Sequence, residues 1–209
     1  MIHITKDQLL GMDMLNRLRL VNSITGFKPA NLIGTIDLSK NTNLAIISSV
    51  VHLGSDPALI GFIMRPLVGE RHTFENILES KKYTINHINA DIAERAHFTS
   101  ADFPKDISEF DRCKLTAEYL FDFGAPFVLE SNIKMGMSLI ETVHLKINKT
   151  ILVIGQVEHI IMNEDYIGED MGVDLNASGT ICISGLDTYH HVQKIRNFPY
   201  ARLENVPDF

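Results

Sequence analysis

The residues best placed to do chemistry lie close together. Arg65 follows an apolar run ending in Met64, and Arg71-His72-Thr73 opens a helical pattern one short loop later. A helix start offers unpaired backbone N–H groups and the positive end of its dipole. Guanidinium groups beside it favour a phosphate or carboxylate, whose oxygens match their forked donors. The formal net charge of the whole chain is −7, so this cationic cluster stands out as an anion site. Taken alone, the same residues also read as a plain helix cap, with Thr73 satisfying an orphan N–H and the arginines solvated.

Other constellations fall away on spacing. Glu141 and His144 have the Glu-x-x-His interval of di-iron bundles, but once only and in strand texture. On a strand, positions three apart point to opposite faces. Asp91, Glu94 and His97 share a helix face and His190-His191 are adjacent, yet neither makes a full ligand set, so no metal is expected. There is no Gly-x-Ser-x-Gly and no Gly-x-Gly-x-x-Gly, and no residue is nominated as a nucleophile or general acid. Cys113 and Cys182 lie outside any metal or redox spacing and are expected to be reduced structural thiols.

The elements that must position the anion site follow from patterning. At 209 residues, with 45% hydrophobic and 22% charged residues, the chain fits one globular domain spanning 1–209. A sequence pI near 5.7 argues against a nucleic-acid partner. No apolar run reaches the roughly 18 residues of a membrane span, and the N-terminus lacks a basic-then-apolar leader, so a cytoplasmic protein without membrane contact is expected. Thr5 to Leu18 reads as one capped helix. Strands are expected at 32–38, 44–53 and 58–64, a crowding that suggests an antiparallel meander. A helix follows at 73–80, a strand at 83–88, a short helix at 91–97 and an irregular stretch at 98–109. Later strands are expected at 127–134, 139–147, 151–162 and 181–183, with Asn148-Lys149 as a hairpin turn and a helix in the tail between Gly185 and Arg202. The architecture expected is mainly β, a closed or nearly closed barrel with peripheral helices.

Three stretches, in this order and spacing, resemble the flavin reductase-like family. They are Asn43–Ser49, then Asp56–Phe62 through Arg71–Ile77 to Tyr83–Asn86, then Gly185–Tyr189 with Phe198–Arg202 behind it. The resemblance spans about Leu32 to Arg202 and implies an antiparallel Greek-key split barrel that binds FMN as a homodimer. It implies that Asn43, Ser48, Ser49 and Val50 face the isoalloxazine ring, and that Arg65, Arg71, His72 and Thr73 hold the ribityl phosphate. His97 and Ser100 are added as pocket residues, since the irregular region after the third helix approaches the flavin in this family. By the residues alone, Ser48-Ser49 read equally as strand hydroxyls bonded to backbone, and Tyr189 as a buried or interface aromatic. The activity implied is hydride transfer from NADH or NADPH to FMN and onward to a second flavin or another acceptor. The alternative is a flavin-binding electron carrier served by a partner protein, with little nicotinamide activity.

Overall fold

The computed structural model describes residues 1–66, 69 and 71–208. Two short helices open the chain, α1 (Lys6–Gly11) and α2 (Met14–Ser23), where one helix was expected. Thr5 caps α1 in a capping box with Gln8. Asp13 then accepts the Asn16 N–H at 3.0 Å and starts α2 afresh, because a short acidic side chain bonds the backbone and competes with helix continuation.

The central sheet is antiparallel and seven-stranded. Its members are β2 (Asn31–Ile36), β3 (Thr42–Ile47), β4 (Val51–Ser55), β5 (Ala58–Met64), β6 (Lys82–His87), β9 (Ile133–Leu145) and β10 (Thr150–Met162), in the order β3-β2-β6-β9-β10-β5-β4. The expected single strand over 44–53 is therefore two strands on opposite edges, and the expected meander is two separate hairpins. Residues 48–50 alone join those edges. Laid flat, seven strands would hold their edges about 29 Å apart at ~4.8 Å per spacing. A connection from Ile47 to Val51 spans at most about 14 Å. The sheet must therefore curl until its edges nearly meet, which makes a split barrel. Ser49 fastens the seam: its hydroxyl accepts from Ile63 N at 3.0 Å and donates to Ile63 O at 3.2 Å, standing in for a strand partner on β5.

Two smaller pairings flank the barrel. The strands β1 (Lys28–Pro29), β11 (Ile181–Ser184) and β12 (Thr188–His191) form one sheet, and β7 (Ala117–Glu118) pairs with β8 (Phe127–Val128). The expected strand over 127–134 is broken after Val128, where Ser131 turns the chain by donating to His87 O at 2.7 Å. The strand expected to begin at 139 begins at Ile133, since the β10 partner is continuous across two bulges. Asn148-Lys149 does turn the hairpin, with Lys149 at φ 61. No helix forms between 185 and 202: β12 pairs with β11 there, and Tyr189 packs on the core.

β2 is buried along its whole length, so its alternating side chains feed two cores. Ile33 joins Phe62, Tyr83, Ile85, Met137 and Val153 inside the barrel, with Phe74 and Ile77 from α3 (His72–Ser80). Leu32 joins Leu44, Ile88, Phe110 and Ile181 under α4 (Ala93–Phe98) and α5 (Glu109–Arg112). Cys113 and Cys182 are free and buried. No helix among the described residues is long and apolar enough to cross a membrane.

Candidate functional site

β3 brings Asn43 and the run Ala45–Ser49 to one wall of a cavity of about 870 Å³. The end of β5 with Arg65 and the start of α3 with Arg71, His72 and Thr73 line the same cavity. The irregular stretch after α4 supplies Ser100 and Phe103, and α5 supplies Glu109. Lys28 Nζ donates to Asn22 O (3.3 Å) and Gly185 O (2.7 Å), tying the end of α2 to the turn after β11. Asn22 and Leu186 complete the rim. A smaller cavity of about 310 Å³ adjoins the first, shares Ser48, Arg65 and Ser100 with it, and adds His97 and Asp187.

Of the ten residues singled out from the sequence, eight line the main cavity: Asn43, Ser48, Ser49, Arg65, Arg71, His72, Thr73 and Ser100. His97 lines the adjoining one, its Nδ1 paired with the Tyr189 hydroxyl at 3.1 Å. Val50 differs: its side chain packs against the barrel core, because β4 begins on the far edge there. The Ser49 hydroxyl is committed to Ile63, as the backbone-bonded reading of that serine has it.

The start of α3 faces the cavity. Arg71 is the N-cap residue, and among the described residues no side chain caps this helix. The Arg71 N–H donates to Glu75 at 3.2 Å. Thr73 is not the cap: it sits in the first turn, buried, and donates its hydroxyl proton to Asn43 Oδ1 at 2.7 Å. The arrangement suits an anion, with exposed Arg65 and partly buried Arg71 and His72 around one helix end.

Glu109 gave no signal in the sequence, since nothing marks an acid in an irregular stretch as buried. It is 5% exposed, and its two oxygens accept from Asn43 Nδ2 at 2.9 and 2.8 Å and from Leu44 N at 2.9 Å. The Leu44 N–H belongs to the edge strand β3, so the carboxylate covers a strand edge as well. Burial raises the affinity of Glu109 for a proton, opposed by these three donor contacts and by nearby His72.

A fold of this kind with such a cavity has known relatives. Residues 27–183 match the model of the flavin reductase like domain, and the chain belongs to that family. It is 48% identical to a protein of Shewanella frigidimarina NCIMB 400 assigned as a flavin reductase with a split barrel domain, covering 96% of this chain and 100% of that one at a TM-score of 0.93. Nitrilotriacetate monooxygenase component B from Bacillus cereus shares the fold at a TM-score of 0.82 and 20% identity, over 95% of this chain and 98% of that one. An uncharacterized protein of Aquifex aeolicus strain VF5 is 23% identical over 154 residues, 70% of this chain and 78% of the relative.

Proposed function

We propose that the protein is an FMN-dependent oxidoreductase that works with NADH or NADPH and delivers electrons to a second flavin or another acceptor. The observation that carries the reading is that small-residue strand backbone and a cation-rich helix start line one cavity. A flat ring system and a phosphate need those two surfaces. The donor set fits FMN: Arg65, Arg71 and His72 offset the hydration a phosphate loses, and the first turn of α3 lies beside them with the positive end of its dipole. A cavity of about 870 Å³ is also within the usual range for cofactor sites. The redox chemistry, hydride acceptance and electron delivery, would be that of a flavin held by these residues.

The chain's own part is to bind and orient. Ser48 lets ligand approach the β3 backbone closely, and the stretch carrying Ser100 and Phe103 covers the ring side from water. The adjoining cavity, with His97 and Asp187, leaves room for a second reactant against the first. The Arg65 guanidinium is common to both. A homodimer belongs to this reading. Met14, Leu15, Leu18 and Val21 leave α2 with an exposed apolar face in the isolated chain, as a helix covered by a second copy would.

An anaerobic absorbance titration of the FMN-loaded protein with each nicotinamide tests the proposal. Bleaching of the flavin band within seconds is expected with one or both. A tightly held FMN left oxidised by both would replace it with the electron-carrier reading. For the anion site, Arg71→Ala should weaken FMN about 10- to 100-fold, the worth of a hydrogen bond to a charged group, and riboflavin far less. Equal losses would place Arg71 outside the phosphate contact.

A further inference from the structure

The buried polar chain Glu109–Asn43–Thr73 determines what the Thr73 hydroxyl can offer a ligand. A carboxylate only accepts, so the Asn43 amide must turn its N–H2 toward the two Glu109 oxygens, 2.9 and 2.8 Å away. Its Oδ1 then faces α3 and accepts the Thr73 proton at 2.7 Å, with Thr35 Oγ1 as a second, longer donor at 3.3 Å. Asn76 Nδ2 donates to Thr35 Oγ1 at 3.1 Å, which keeps the Thr35 proton on the same acceptor. Asn43, Thr73 and Glu109 are all buried and all line the cavity. The single proton of Thr73 is therefore spent inside the protein, and only lone pairs remain on the cavity side. A phosphate monoester near neutral pH presents acceptor oxygens. Lone pairs aimed at it repel, whereas lone pairs aimed at an alcohol accept its proton.

We propose that Thr73 receives a hydroxyl of the ligand's polyol chain, not its phosphate, and that Glu109 is the positioning residue that holds it as an acceptor through Asn43. The assignment rests on the flavin reading and departs from the phosphate role that the family resemblance implies for Thr73. Arg65, Arg71, His72 and the backbone of α3 are left to hold the phosphate.

Lumiflavin, riboflavin and FMN separate these contacts, because they carry the ring alone, the ring with its polyol, and both with phosphate. Affinities are measured by fluorescence titration. Thr73→Val should weaken riboflavin and FMN by the same factor, about threefold to tenfold for one neutral hydrogen bond, and leave lumiflavin unchanged. Thr73→Ser should restore both. A loss for FMN several times that for riboflavin, or an equal loss for lumiflavin, would overturn the assignment. Glu109→Gln frees the Asn43 amide to turn and the Thr73 hydroxyl to donate, so riboflavin should weaken while lumiflavin is unchanged. The lost negative charge acts through the phosphate on FMN alone, so riboflavin reads the relay. The riboflavin loss must shrink at least twofold when Glu109→Gln is combined with Thr73→Val. A loss of the same size in both backgrounds would sink the relay. Wild-type protein that binds none of the three flavins would overturn the flavin reading along with this one, whereas wild-type binding with a failed Thr73 pattern overturns this one alone.

Discussion

At the scale of the residue, the site depends on commitments made out of sight of solvent. The hydroxyl of Ser49 is used by the seam and that of Thr73 by Asn43, so two residues whose types suggested ligand contact offer the cavity less than their chemistry allows. A second titratable group, partly buried, lies outside the site. His87 pairs its Nδ1 with Thr180 Oγ1 at 3.2 Å, and burial pushes its pKa down to about 4. A histidine held neutral in the fold and free to charge when unfolded contributes stability above its unfolded pKa of about 6.5, and loses it as the pH falls toward the folded value. Urea unfolding should therefore show stability dropping between pH 6.5 and 4, by up to about 3 kcal/mol from this group. His87→Asn should flatten that part of the profile. An identical slope in the variant would assign the loss to other groups.

At the scale of the element, close approach decides what sequence patterning left open. At Gly34 on β2, an added methyl would collide with the Pro126 carbonyl oxygen and come within 2.6 Å of Thr84 Oγ1. Backbone cannot give way there as a flexible side chain can. Gly34→Ala should cost about 3 kcal/mol or more, read as a fall in the urea midpoint with an unchanged slope. Gly155 on β10 holds the equivalent place for Tyr83, whose hydroxyl a side chain would strike. Single-element expectations held where periodicity ran uninterrupted, as at β5 and α3. They failed where a partner strand or an internal cap took over. The run Leu44–Leu53 is apolar apart from Ser48, Ser49 and His52, and the two serines read equally as ordinary strand hydroxyls, so they do not by themselves mark the switch from one sheet edge to the other. Only Ile63, fourteen residues away in sequence from Ser49, does that.

At the scale of the whole molecule, the barrel gathers eight of the ten expected site residues round one cavity from β3, β5, α3 and the stretch after α4. The proposed homodimer predicts a mass in solution of twice the 23.5 kDa chain, by light scattering on a sizing column. Replacing Leu15 and Leu18 with Glu should shift it toward one chain, since charge on an apolar contact face is costly to bury. A mass of one chain for the wild type would remove the dimer from the proposal. What the sequence determined by itself is the local chemistry: strands and helices from their periods, and an arginine-rich helix start in an acidic chain. Those signals are carried by neighbours in sequence. What the tertiary structure decided is which groups are left to act. The burial of Glu109, the direction of the Asn43 amide, the spent proton of Thr73 and the inward turn of Val50 each depend on a partner from another element. Hydrogen-bond polarity and exposure are properties of pairs brought together by folding, and no spacing along the chain encodes them.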